Sequence, residues 1–334
     1  MKKILALFLI FSLFSLSSEA LGKAKDKTVE FISDVTKSSY TYLILGLDDS
    51  SSNTDVIILF SYDGKENSYS VLGIPRDTFF ENSPYPHKLN GYLHSLSGDE
   101  VTLSSLQSFS NALSSSLGVH IDGTVVYKME TISDIIDTIG GITVNVPIEM
   151  SGFGINGEKV ELKEGKQNLN GNEAVFFLRY REGYALGDLG RMDAQKMFIS
   201  SFIQKIKSDF NIEVAVKLLT YRAKNVITDI NTSELIAFAV KNVFKIKNST
   251  GFFATLPGSA VFSDDGISYY SVNKKASIEI LKLFDLKIAG EFDPSGVFCS
   301  DVSSLNQIYY SNDIRYKVYS DKEVENLSPI VKVQ

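Results

Sequence analysis

Cysteine is almost missing from this sequence. Cys299 stands alone in 334 residues, so no intramolecular disulfide, no multi-cysteine zinc site and no Cys-x-x-Cys chemistry is available. A lone thiol with no evident histidine partner reads as a small buried residue rather than a nucleophile. Histidine is nearly as scarce: His87, His94 and His120 share no metal-ligand spacing and read as structural or surface residues. An excess of positive charge is also lacking. The net charge of -7 excludes broad sequence-independent binding to nucleic acid, which requires many cations to neutralise phosphates. Any anionic ligand must be held by a local cluster.

Arginine is the sparse residue that carries information. It occurs only at 76, 179, 181, 191, 222 and 315, while lysine supplies the other cations. The guanidinium offers a planar fork that grips carboxylate or phosphate in a bidentate way. Four of the six fall in two short segments, which suggests an oxyanion site; the bland alternative is a set of surface ion pairs. The apolar content of 44% is enough for a full core in one large domain or two small ones.

Met1 to Ala20 reads as an address, with a basic start at Lys2 and Lys3, an apolar run from Ile4 to Leu16 and the small-residue ending Ser18-Glu19-Ala20. The run falls short of the roughly 20 residues that span a bilayer core. Ser17, Ser18 and Leu21 would stretch it into an uncleaved anchor, so residues 1–20 are expected to be a signal peptide or a membrane anchor. Export follows in either case, to the outer face of the cytoplasmic membrane or the cell wall. Residues 21–40, polar and rich in Lys and Asp, suit a tether.

Tyr42–Leu47, Val56–Ser61 and Ser68–Ile74 are continuous apolar, β-rich runs, as expected of strands covered on both faces. Helical periodicity marks Leu103–Leu117, Met129–Ile139, Ala194–Ile206, Ile212–Ala223, Ser233–Phe244 and Ala276–Phe284. Thr143–Val146 is a strand candidate and Gly165–Asn172 a loop. The mixture predicts a layered α/β architecture, a mixed sheet flanked by helices, over residues 41–287. Residues 288–334 read as a C-terminal extension, either a small subdomain or strands laid on an edge.

Three constellations carry chemistry. Asp48 and Asp55 stand at facing ends of neighbouring strands, where two carboxylates suit Mg²⁺; turn formation is the local alternative. Ile74-Pro-Arg-Asp-Thr78 ends a buried strand, where Pro75 stiffens the turn that aims Arg76. Asp77 there is a candidate to orient Arg76, bind metal or act as a base, or simply to shape the turn. The densest segment is Leu178 to Gln195. Arg179 and Arg181, read as extended, project to one side, glycines at 183, 187 and 190 let the loop bend, and Arg191 and Gln195 share a face at the start of a helix.

Leu45-Gly-Leu-Asp48, Thr54-Asp55, Ile74-Pro-Arg-Asp-Thr78, Lys88-Leu-Asn90, the Gly140–Pro147 run, Leu169-Asn-Gly171, Arg179-Tyr-Arg181, Gly187-Asp-Leu-Gly-Arg191 and Gln195 together resemble the LytR-CpsA-Psr family of cell-envelope proteins over roughly Thr41 to Phe284. The resemblance implies a mixed α/β fold with an apolar pocket for a polyprenyl chain and a pyrophosphate site at its mouth. It also implies Mg²⁺-dependent phosphotransfer of an anionic glycopolymer, such as teichoic acid or capsular polysaccharide, from polyprenyl pyrophosphate to peptidoglycan at the membrane surface. By motif, Asp48 and Asp55 would hold the metal, and Arg76, Arg179, Arg181 and Gln195 would contact the pyrophosphate. Asp188 and Arg191 would organise their loop, and Asp77 or Asp188 would serve as general base. Two departures stand out: Asn53 where the family commonly has arginine, and Ala194 where it has a basic residue. Fewer cations imply a weaker grip on phosphate. A polyprenyl-pyrophosphate hydrolase and a non-catalytic lipid-glycan binding protein are the competing readings.

Overall fold

The computed structural model describes residues 39–48, 53–209, 226–230, 238, 242, 245–263, 265–284, 286 and 317–327. The leader, the tether up to residue 38 and the helix expected at Ile212–Ala223 lie outside these residues, as does most of Ser233–Phe244.

Among the described residues, seven strands make the main sheet in the order β13-β10-β3-β2-β1-β4-β9. They are β1 (Ser39–Leu47), β2 (Thr54–Asp63), β3 (Ser68–Gly73), β4 (Gly123–Tyr127), β9 (Val226–Thr228), β10 (Thr250–Thr255) and β13 (Tyr319–Ser320). The sheet is mixed. β1–β4 and β3–β10 pair in parallel, and β1–β2 and β2–β3 are antiparallel. The apolar runs are continuous because both faces are covered. Leu43, Leu45, Leu47, Ile57 and Leu59 face one core with Leu106, Phe109, Leu113 and Ile280. Tyr40, Tyr42, Val56 and Ile58 face the other, with Val175 and Met197.

Helices among the described residues include α1 (Tyr92–Ser97), α2 (Leu103–Leu117), α3 (Met129–Thr138), α4 (Gly171–Arg179), α5 (Asp188–Asp209), α6 (Lys274–Leu283) and α7 (Asp321–Val324). Helix α2 spans the expected residues because both ends are signalled. Thr102 and Ser105 form a capping box, and Gly118 closes the helix in the left-handed conformation. Helix α5 starts six residues before the expected Ala194, inside the glycine-bearing segment, and runs to Asp209.

Gly165–Asn172 is not a loop. Gly165–Leu169 is strand β8, paired antiparallel with β5 (Ile142–Val146), and Asn170 caps α4 in a box with Glu173. Its side chains alternate between more and less exposed on a two-stranded ribbon, so no apolar run marks it. β6 (Met150–Phe153) and β7 (Lys159–Leu162) form a second ribbon, and β11 (Gly258–Phe262) and β12 (Ser268–Val272) a third. After residue 316 the chain returns to the sheet edge, where β13 pairs antiparallel with β10 and α7 follows.

Candidate functional site: a buried ring of two arginines and two aspartates

The site is built where β2, the turn after β3 and the start of α5 meet. Gly46 pairs with Val56 and Leu47 with Thr54, so Asp55 is the extra residue of a β-bulge. Bulges re-aim side chains next to functional sites. Here Asp55 turns to two arginines: Arg76 Nη1 donates to its Oδ1 at 2.5 Å, and Arg191 Nη1 to its Oδ2 at 3.4 Å. Asp188 closes the ring from the first turn of α5, with Oδ1 2.6 Å from Arg191 Nη2 and 3.3 Å from Arg76 Nε. Arg191 also donates to the Asp55 carbonyl at 3.3 Å. Its side chain is 4% exposed, against 16–19% for the other three.

Local structure explains the aim of each group. Thr78 donates both N–H and hydroxyl to the Pro75 carbonyl, which tightens the turn carrying Arg76. The Arg76 carbonyl accepts from Asn90 N–H, and the Asn90 carbonyl accepts from the Thr54 hydroxyl, tying this turn to the bulged strand. Gly187, with φ of 54°, lets the chain reverse into α5 without a Cβ penalty.

Charge is balanced within the ring, but directional bonding is not. Arg191 Nε and Gln195 Nε2 are buried without a hydrogen-bond partner among the described residues, and Arg76 Nε meets Asp188 Oδ1 at 3.3 Å without the alignment of a hydrogen bond. Buried N–H groups rarely go unpaired. Donors of this kind suit the oxygens of an anion. Burial pushes the Asp188 carboxyl up, against the pull of Arg191 and Arg76. Burial acts to lower the Arg76 guanidinium, but Asp188, Asp55 and Asp77 outweigh it and hold it protonated.

A cavity of about 450 Å³ opens on the ring. Arg76, Asp77, Arg181 and Asp188 line it from the motif side, and Ala260, Ser268, Tyr269 and Tyr270 from the β11–β12 hairpin. Sequence reading misses this second wall. The hairpin is remote in the chain and arrives through backbone bonds, Phe79 N–H to the Tyr270 carbonyl and Tyr270 N–H to the Asp77 carbonyl. Lys88, quoted only as part of a motif, proves to be the partner of Asp77, at 2.8 Å.

Other expectations change. Arg179 and Arg181 are not two alternate residues of one extended segment: Arg179 is the last residue of α4, and the chain turns extended only at Tyr180. Arg181 lines the cavity and Arg179 is not among its lining residues. Asp48 does not join the ring. Its carboxylate accepts from Asn53, from the backbone N–H at 3.2 Å and from Nδ2 at 3.1 Å. Asn53, expected only to weaken the grip on phosphate, therefore orients Asp48. Ala194 is fully buried among Phe177, Tyr184 and Phe198, so that position contributes packing rather than charge. The oxygen donors of Asp48 and Asp55, at the same end of the β1–β2 pair, are of the chemical type a hard cation takes. A carboxylate oxygen can serve a cation alongside a hydrogen bond that it already accepts.

A family model described as the LytR_cpsA_psr family matches residues 8–284. TagV of Bacillus subtilis (strain 168), named a polyisoprenyl-teichoic acid–peptidoglycan teichoic acid transferase, is 28% identical over 233 residues. That alignment covers 66% of this chain and 58% of TagV, so the chain spans less than two thirds of that relative. TagU of the same organism, with the same activity in its name, is 27% identical over 269 residues, covering 79% of this chain and 82% of TagU. The fold is similar to that of TagT solved bound to LIIa-WTA, with a TM-score of 0.57 at 22% identity, covering 75% of this chain and 90% of TagT. With the motifs in order along a matching fold, this chain is a member of the LytR_cpsA_psr family.

Proposed function

We propose that the chain is a phosphotransferase that moves an anionic glycopolymer from a polyprenyl-pyrophosphate carrier to peptidoglycan on the outer side of the cytoplasmic membrane. The observation that carries this reading is the set of buried donors left without an aligned hydrogen bond among the described residues, Arg76 Nε, Arg191 Nε and Gln195 Nε2, with Arg76 itself lining an open cavity. The relatives' names, which specify a polyisoprenyl-linked teichoic acid and a peptidoglycan acceptor, supply the substrate class.

In this reading Arg76, Arg181 and Gln195 bind the pyrophosphate, with Arg179 at the end of α4 as a further cation, and Arg191 holds the ring from beneath. A peptidoglycan hydroxyl attacks the phosphorus bonded to the polymer. The phosphoanhydride P–O bond breaks, a phosphodiester forms and polyprenyl monophosphate leaves. Asp188 takes the hydroxyl proton. Its burial makes it a stronger base than an exposed carboxylate, and a bound phosphate anion raises it further. Asp77, fixed by Lys88, orients the acceptor side of the cavity. Asp48 and Asp55 would hold Mg²⁺, which when bound neutralises charge on the phosphate oxygens. Arginine forks aimed at the leaving phosphate do the same from the protein side.

Incubation with a lipid-linked polymer and peptidoglycan sacculi tests the reading, and polymer covalently attached to sacculi is the expected product. Chelation of divalent ions should stop the reaction and added Mg²⁺ restore it, while Asp48→Ala and Asp55→Asn, the latter keeping an acceptor for Arg76 and Arg191, should lose that restoration. Unchanged metal dependence in both variants would remove the proposed metal site.

A further inference from the structure

Tyr127 ends β4, outside every motif described above. β4 lies parallel to β1 with Tyr127 opposite Gly46, two residues before Asp48. The phenol lies across that glycine: a Cβ built on Gly46 would sit 2.8 Å from the Tyr127 hydroxyl, 2.9 Å from its Cζ and 3.0 Å from Cβ of Val56. Glycine at 46 is thus the residue that lets the ring pass. Val56 follows the bulged Asp55, so the hydroxyl stands beside the metal-and-arginine end of the β1–β2 pair.

The ring and the hydroxyl face different surroundings. The ring packs against the cluster that includes Tyr42, Val56, Met129 and Met197, between the sheet and α5. Burial pushes the phenol up, with the Arg191 charge acting against it, so it stays protonated at neutral pH and is a donor. No group among the described residues accepts from it, whereas a half-buried tyrosine hydroxyl ordinarily finds a partner. Arg191, whose charge acts on the phenol, carries at Nε a buried donor without a partner among the described residues.

We infer that the Tyr127 hydroxyl is a further substrate contact, donating a hydrogen bond to an anionic oxygen of the pyrophosphate from the sheet side of the ring. This rests on the phosphotransferase reading and adds a binding residue to it. Tyr127 has the shape for a boundary position, since its apolar ring belongs to the core and only its tip is polar.

Binding of geranyl pyrophosphate and of inorganic pyrophosphate to the folded domain and to Tyr127→Phe tests the inference. The phenylalanine ring keeps the packing, so the melting temperature without ligand should not change. Both ligands should bind about ten-fold more weakly, the effect of losing one hydrogen bond to a charged group. Equal affinities in the two proteins would overturn the inference. So would a loss confined to geranyl pyrophosphate, which would mean that the residue touches the lipid, or a loss that accompanies a lower melting temperature, which would make the hydroxyl structural. If the unaltered domain binds neither pyrophosphate, the phosphotransferase reading fails and this contact with it.

Discussion

Arg191 is nearly inaccessible, yet it pairs with two carboxylates and leaves Nε unpaired, which sets it apart from Arg76 at the cavity wall. Breaking a buried pair costs about 3–5 kcal/mol, so variants of Arg191 should lose stability along with activity. Arg76 is the cleaner probe. Arg76→Lys keeps the charge but removes the fork, and transfer should fall about ten- to a hundred-fold, the rate equivalent of one lost hydrogen bond to a charged group. Turnover close to that of the unaltered protein, measured beside an unchanged melting temperature, would make Arg76 a structural ion-pair residue. Asp188 gives a pH signature. Its carboxyl is raised by burial, so its basic form is lost as pH falls through a value above the ordinary carboxylate range of about 4. Activity should therefore rise with pH through that raised value. Asp188→Asn should abolish turnover, and Asp77→Asn should keep the same acidic limb at reduced rate. An acidic limb that moves with Asp77 instead would transfer the base role to that residue.

Among the elements, those with strong periodicity or capped ends were legible from residues alone: the apolar runs became β1, β2 and β3, and α2 occupies the expected span. Gly165–Leu169 was not legible, because a polar ribbon strand has no run to read and its pairing with Ile142–Val146 is a long-range fact. The candidate residues of the site were readable as motifs, but not their grouping. That Asp55 sits on a bulge and pairs with Arg76 and Arg191, while Asp48 turns to Asn53, depends on register rather than residue type. The end of the chain holds another such fact. Asp321 accepts from Gly251 N–H at 2.8 Å and from the Tyr69 hydroxyl, and lies 3.6 Å from Lys207, so it fastens α7 to β10, β3 and α5. Tyr319 stacks against Lys196, the neighbour of Gln195. Asp321→Ala should destabilise the domain by about 2–4 kcal/mol in chemical denaturation, since it strands a tyrosine hydroxyl and a mostly buried lysine. A change below about 0.5 kcal/mol would mean that this segment merely rests on the sheet edge.

At the scale of the whole molecule, a chain with net charge of -7 concentrates arginine forks at one end of a two-sided core, which makes anion recognition local rather than diffuse. The sheet brings the β1–β2 end and the turn after β3 together, α5 supplies Asp188, Arg191 and Gln195, and the β11–β12 hairpin supplies the opposite wall of the cavity. In the proposed reaction the acceptor separates transfer from hydrolysis or binding alone. The most direct measurement is the release of polyprenyl monophosphate from a lipid-linked glycopolymer, followed with and without peptidoglycan in the presence of Mg²⁺. Transfer predicts release that depends on peptidoglycan and equals the polymer attached to it. Equal release without acceptor, or tight binding of the lipid-linked polymer with no release under either condition, would contradict it.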